Sequence, residues 1–435
     1  MSNRRRGPGL LERRANYLKS LQVVDYRLII SVLFLLMFGV IMVYSASSAQ
    51  YGNGYTVKQF LFAVLGVVAM LFVSYFDYHH YLPFAVLVLL AAIFSLFLVK
   101  VPGLGVSVNG ASRWISILGI TLQPSELVKP AIVLYSASVI IDKKEKLATP
   151  EGFAYYFIPA FAAAFLIYTV TDNLSTAVIV LAISAIMFFV AYPYKRIWLW
   201  LILLAALAAA AIWYIYTTGV VPAHMSGDTD SFRLLRILAW LYPEEYQSAS
   251  MQSRYSVYAI GFGGLWGRGL GSGTIKYYLP EPMNDFIFAV IAEELGIVGC
   301  AALIFMFAYQ VSRIWTVARH GRDLLGNYLA LGIGAHVAVQ VILNIGVASN
   351  LLPNTGISLP YISYGGTALL LQMAEIGVVL NVSRQIPGRR IPDEEAGQPR
   401  HPGHDSGETY RRGHRKNQGR PDLVVYRGGK SGDER

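Results

Sequence analysis

The segment NDFIFAVIAEELG places Asp285 at the mouth of an apolar stretch and sets Glu293 and Glu294 further along it. Read as a helix rising 1.5 Å per residue, the stretch puts ~12 Å between Asp285 and the two glutamates. Carboxylates are costly inside an apolar run of membrane-spanning length and persist there when something pairs or uses them, so all three are candidate functional groups. Asp285 has two readings. Asp is a favoured helix N-cap; it is also a candidate general base, because desolvation beside Phe286 and Phe288 would raise its pKa and suit it to accept a proton from a sugar hydroxyl. Glu293 and Glu294 are adjacent and point about 100° apart on a helix, so at least one must face protein or water. Lys129, one turn into an apolar run that follows Ser125, is the natural counter-charge. It is expected to pair with Glu293 or Glu294, to touch an anionic headgroup, or to snorkel. Arg113, Arg233, Arg236, Arg254, Arg268 and Lys276 add cations to the same side. Clustered beside a carboxylate they suit a phosphorylated substrate, although each alone reads as a solvated surface charge.

Other chemistries find no residues to carry them. His79 and His80 are neighbours on a turn and His336 stands alone in an apolar run, which makes no zinc ligand set. The glycine-rich GFGGLWGRGLGSG at 261–273 follows no strand, so it is expected to be a flexible loop and not a nucleotide cradle. Cys300 is the single cysteine, leaving no disulfide framework.

Positioning these groups falls to membrane helices. The 435-residue chain is 55% hydrophobic and 14% charged, which fits an all-α polytopic membrane protein. Hydropathy places ten spans near 28–48, 60–76, 81–99, 126–141, 154–171, 174–191, 197–216, 286–310, 327–350 and 361–382. Lys143, Lys144, Lys146, Lys195, Arg196, Arg313, Arg319 and Arg322 fall on one set of connections. The positive-inside rule makes that side cytoplasmic, with both termini on it. The first span is expected to stay as a signal anchor. Residues 1–27 form a basic N-terminal segment and residues 384–435 a basic, disordered cytoplasmic tail. Together they supply nine of the net +10 charges, a distribution that suits an anionic inner leaflet better than nucleic acid. Between them the membrane core runs over 28–383. Three outer connections stand out: 100–125, expected as an interfacial re-entrant or amphipathic segment around Trp114; 217–284, a large extracellular loop between spans 7 and 8; and 350–366, rich in Pro, Gly and hydroxyl residues. Within the long loop, RLLRILAWLYPEEY has helical apolar spacing.

Several stretches together are specific. MVYSAS at 42–47, NGASRWI at 109–115, QPSELVK at 123–129, YLPEPMNDFIFAVIAEELG at 278–296 and LPNTGISLPYISYGG at 352–366 make the chain resemble the SEDS family, the FtsW, RodA and SpoVE peptidoglycan glycosyltransferases. The resemblance runs from about Tyr26 to Arg384. The stretch QVILNIGVASNLLPNTGISLP and the ending VVLNVSR lean toward the FtsW and SpoVE branch. It implies polymerisation of lipid II at the outer face of the bacterial cytoplasmic membrane, with undecaprenyl diphosphate leaving, in cell division or cell-shape maintenance. It also implies a class B penicillin-binding protein, a transpeptidase, as partner. The family's essential aspartate falls on Asp285, and its other functional polar positions fall on Arg113, Glu126, Lys129, Glu293, Glu294 and Ser363. Three departures stand out: TDNLST at 171–176, where the family has Gln-Pro-Asp-x-Gly-Thr, leaves any acidic role there open; Asn284 replaces a common Thr; and Thr367 replaces a common Ser.

The expected site is therefore Asp285 as catalytic base, with Arg113, Glu126, Lys129, Arg233, Arg236, Lys276 and Ser363 binding substrate and Glu293 and Glu294 as structural or ion-pairing supports. A divalent cation, magnesium or manganese, is an optional aid to the diphosphate, its ligands unassigned. A lipid II flippase is the alternative, and a scaffold for division proteins a weaker third.

Overall fold

The computed structural model describes residues 24–108, 111–117, 120–192, 207, 210 and 232–386. Among the described residues nine helices are long and apolar enough to cross a membrane. They contain α1 (Tyr26–Tyr51), α2 (Gly54–Tyr75), α3 (Ala85–Phe97, flanked by short 3-10 turns), α4 (Pro124–Asp142), α5 (Pro150–Val170), α6 (Leu174–Ala191), α9 (Ile287–His320), α10 (Leu324–Ala348) and α11 (Gly366–Arg384). Two further helices, α7 (Phe232–Leu241) and α8 (Gln247–Gly263), lie in the long connection. The expected seventh span at 197–216, the loop residues 217–231 and the two terminal segments lie outside the described residues, apart from 24–27, 207, 210 and 384–386.

Amphipathic periodicity decides which face each helix buries. On α1, Leu28, Val32, Leu35 and Leu36 are buried while Ile30, Phe34, Met37 and Ile41 are exposed, the pattern of a helix with one face on the bundle and one on hydrocarbon. Helices α4, α10 and α11 are the most enclosed, α10 packing against α4, α6, α9 and α11. Where α1 begins, Asp25 accepts from the Leu28 amide at 3.2 Å and pairs with Arg313 at 2.6 Å, tying α1 to α9. Between α3, α4, α10 and α11 lies a cavity of about 410 Å³ with mostly apolar walls, bordered by Glu375.

Three expectations change. Residues 100–125 are not re-entrant: they carry an antiparallel sheet in the order β1 (Gly105–Val108), β2 (Ala111–Ile117), β3 (Ile120–Leu122). The described residues are thus mostly helical, with one small sheet among them. Alternation in GVSV and SRWISI carries the strand period, but each run is too short to stand out beside helical spans. Second, the last turns of α9 run to His320, ten residues past the expected span end. Third, α9 is broken at Gly296, where φ is +67°. There the glycine-rich segment 264–269, expected to be flexible, docks against it. Arg268 and Gly269 amides donate to the Glu293 and Glu294 carbonyls at 2.9 Å each, and the Ile297 and Val298 amides donate to the Gly264 and Leu265 carbonyls at 3.0 and 3.1 Å. Backbone freed by the break is thereby satisfied inside the protein, as membrane depth requires. A β-carbon at Gly296 would stand 2.4 Å from the Gly267 nitrogen, so both the φ and the docking need glycine here.

Candidate active site

Asp285 sits just before α9, partly open to the surface. The cap position of α9 is Phe286 and has no side-chain cap hydrogen bond, so the carboxylate is not spent on capping. Its backbone is held from α10: Asn344 Nδ2 donates to the Asp285 carbonyl at 2.9 Å and to the Ile357 carbonyl at 2.6 Å. Ser363 Oγ donates to the Asn284 carbonyl at 2.7 Å and accepts from the Leu359 amide at 2.6 Å, and the Tyr364 amide reaches the Met283 carbonyl at 2.9 Å. The loop 350–365 is thus fastened to 283–285 at several points.

That fastening brings two arginines to the acid. Gly356 has φ +71°, and a β-carbon built on it would lie 3.2 Å from Asp285 Oδ2 and 3.8 Å from Arg113 Nη1; only a glycine leaves the space between acid and guanidinium open. Arg113 comes from β2 and donates to the Asp172 carbonyl at 2.7 Å. Arg236 comes from α7, where its Nη1 reaches the Asn354 carbonyl at 3.4 Å. Arg113, Asp172, Ser175, Arg236, Asn354 and Thr355 line a small cleft of about 40 Å³. Ser175 Oγ and the Thr355 carbonyl, hydrogen-bonded, close one edge. Burial raises the pKa of Asp285 to about 6, against the opposing pull of Arg236 and Arg113. Burial, and then the nearby Arg113, lowers that of Arg236. A carboxylate titrating near neutrality beside two guanidiniums can take a proton from a hydroxyl while the cations hold an anionic group.

The remaining expected site residues divide. Arg233 lies on α7, but its side chain is outside what the structure describes. Glu126 and Lys129 pair with each other at 2.7 Å, and Lys129 donates to Gln340 Oε1 at 3.0 Å. Lys129 therefore does not pair with Glu293 or Glu294: an acid three residues away on its own helix is nearer than any on α9. Lys276, expected to bind substrate, is buried and pairs with Glu294 at 2.7 Å. Ser45 Oγ completes that cluster at 2.6 Å from Glu294. Glu293 accepts from the Thr274 amide at 2.7 Å and the Ile275 amide at 3.1 Å, with Arg268 3.8 Å away. Both glutamates anchor the docked loop. Ser363 shapes backbone, as described above. In the departing TDNLST stretch, Asn173 is the N-cap of α6, accepting from the Thr176 amide at 3.1 Å. Asp172, left-handed at φ +53°, supplies the carbonyl that orients Arg113. Among the described residues no three His, Cys, Asp or Glu side chains converge as metal ligands. The strongest charged neighbours of Asp285 are Arg236 and Arg113, with the Glu281 carboxylate a weaker one. Sequence reading missed Asn344 and Gly356; the glycine-proline-rich loop hinted at the second, but nothing local marks an asparagine within a span.

The sequence matches the Cell cycle protein family of FtsW, RodA and SpoVE over residues 26–387. The chain belongs to that family. It is 37% identical over 371 residues to the Stage V sporulation protein E of Bacillus subtilis, a match covering 83% of this chain and 97% of the relative. It is 36% identical over 380 residues to a probable peptidoglycan glycosyltransferase FtsW of Geobacter metallireducens, covering 85% and 97%. Solved structures share the fold. One, described as structural coordination of polymerization and crosslinking by a peptidoglycan synthase complex, aligns with TM-score 0.68 at 24% identity over 83% of this chain and 98% of that one. The rod shape determining protein RodA of Thermus thermophilus aligns with TM-score 0.59 at 23% identity over 84% and 98%. The FtsW/RodA/SpoVE fold thus accounts for the membrane core and not for the residues after 387.

Proposed function

We propose that the protein is a peptidoglycan glycosyltransferase that polymerises lipid II, with Asp285 as general base. The observation that carries the reading is the Asp285 carboxylate itself: free of capping, raised to about 6 and set beside Arg113 and Arg236. In this mechanism Asp285 removes the proton from the 4-hydroxyl of the acceptor's GlcNAc. The resulting oxygen attacks the anomeric carbon of the donor's MurNAc, and undecaprenyl diphosphate leaves with inversion. Arg113 and Arg236 bind the diphosphate and offset the charge that develops on it. The end of the bundle bearing the sheet, α7 and Asp285 faces outward, since the lysines at 143, 144 and 146 mark the opposite end of α4 as cytoplasmic. A transpeptidase of the penicillin-binding class is the partner; the name of one fold neighbour, a peptidoglycan synthase complex, supports this.

Purified full-length protein with its partner and lipid II tests the assignment. Asp285→Asn is expected to lower the polymerisation rate by about 10²–10⁴-fold, the usual worth of a positioned general base, with expression unchanged. Wild-type glycan yield from that variant would sink the proposal.

A further inference from the structure

His336, which sequence reading left alone in a span, stands twelve residues from either end of α10. Glu375 stands nine residues from either end of α11. The two meet at the middle of the bundle, with His336 Nδ1 2.8 Å from Glu375 Oε2. Gln340 fixes the proton count. Its Nε2 donates to the Ser358 carbonyl at 3.0 Å, which turns Oε1 toward Lys129 Nζ at 3.0 Å and His336 Nε2 at 2.9 Å. Reversing the amide would aim its NH2 at an ammonium that can only donate. So Oε1 is the acceptor and His336 Nε2 carries a hydrogen. One further proton then lies between Nδ1 and Oε2. On Nδ1 it makes an imidazolium–carboxylate pair; on Oε2 it leaves a neutral imidazole and a neutral acid. Moving it breaks one N–H bond and forms one O–H bond, with no other change.

The far side of Glu375 is incomplete. Its Oε1 has no hydrogen-bond partner, nor have the Tyr361 hydroxyl and both polar atoms of the Gln310 amide. All three side chains are at least nine-tenths buried. They are also neighbours: the Tyr361 phenol is close enough to the Gln310 side chain to interact with it, short of full hydrogen-bond geometry, and it feels the charge of Glu375. Tyr361 is held there at φ +62°, a left-handed backbone uncommon for a bulky residue, which tends to persist where the position is used. Bulk water cannot reach the middle of a bilayer to satisfy such groups. The unpartnered set holds donors, the amide nitrogen and the phenol hydrogen, as well as acceptors, the Glu375 and Gln310 oxygens. A metal cation would serve only the acceptors. Water serves both, and a buried water typically makes about 3 hydrogen bonds.

We propose that Gln310, Tyr361 and Glu375 enclose bound water, and that this water and the His336–Glu375 pair form an intramembrane proton-holding site. This site is separate from Asp285 and does not depend on the glycosyltransferase reading. The water gives Glu375 a second hydrogen-bonding route, so its proton can exchange toward Tyr361 as well as His336. Lys129 reaches the pair through Gln340 and is itself paired with Glu126.

Melting of the purified full-length protein separates a filled site from an empty one, because the sign differs. If water bridges these groups, Tyr361→Phe lowers the melting temperature by about 2 °C or more, the scale of one lost hydrogen bond. Gln310→Leu, should the first variant fail to fold, is expected to move the same way. Tyr361→Phe combined with Glu375→Gln should be non-additive, since both remove partners of the same water. An unchanged or raised melting temperature in both Tyr361→Phe and Gln310→Leu would overturn the proposal, since deleting truly orphaned polar atoms stabilises an apolar bundle. So would a melting temperature that rises on replacing choline with sodium or potassium in wild type but not in Glu375→Gln, which would assign the site to a cation.

Discussion

At the scale of single residues, the pKa of Asp285 governs two pH dependences of opposite origin. Catalysis needs the carboxylate, so the polymerisation rate should rise with pH through about 6 and level off above it. Stability runs the other way. The folded pKa lies above that of an unfolded Asp, so the group's contribution is full below about 4 and is lost as pH rises through about 6. Asp285→Asn should therefore melt at a higher temperature than wild type at pH 8, with the gap closing below pH 4. Asn344→Ala makes a sharper demand. It removes one side chain that holds two backbone segments, at Asp285 and Ile357, without touching the carboxylate. The expected result is a fall in kcat of about 10-fold to 100-fold, the scale of a misplaced catalytic group, with KM changed far less. A loss confined to KM would remove Asn344 from this role.

At the scale of elements, the docked loop and α9 depend on ions that water cannot reach. Lys276→Met leaves Glu294 buried without its cation, and removing one partner of a buried pair costs about 3–5 kcal/mol. The variant should show lowered melting and faster proteolysis within 264–276, and adding Glu294→Gln should restore part of both. The sequence was informative where the signal is local. RLLRILAW announced α7 through its period, and Asp285 announced itself by standing at the mouth of a span. It was silent where partners are far apart. Lys276 and Glu294 are eighteen positions apart and Ser45 is 249 from Glu294. No window of sequence contains that cluster, so Lys129 looked like the available counter-charge, although its own partner Glu126 stands only three residues away. The sheet was hidden for another reason: strands of three to seven residues have too few side chains to outweigh their apolar surroundings.

At the scale of the whole molecule, span number and charge placement make orientation testable. Cys300 is the single cysteine and lies partly buried within a membrane span, so a cysteine-free Cys300→Ala background is easily made. In intact cells, Ser116→Cys on the sheet should react with a membrane-impermeant thiol reagent, and Lys144→Cys beyond α4 should react only after lysis. The reverse pattern would invert the topology and place Asp285 on the wrong side for lipid-linked sugars outside the cell. The ten-span count rests on 197–216, whose hydropathy alone returns the chain to the side that this labelling pattern requires.

Gly296 joins these scales. Segment 264–269 is stitched by two backbone hydrogen bonds to the helical piece from Ile287 to Leu295 and by two more to Ile297 and Val298 beyond the break, with Glu293 and Glu294 bonded to residues 271–276 beside them. Asp285 rides at one end of this unit, whereas Arg113 belongs to a separate sheet. Bonded on both sides of Gly296, the segment is a splint across the break that this left-handed glycine makes. With the break splinted on one side and residues 283–285 tied to Asn344, Ser363 and Tyr364 on the other, Asp285 is clamped from two directions while its arginine partner Arg113 belongs to a different element.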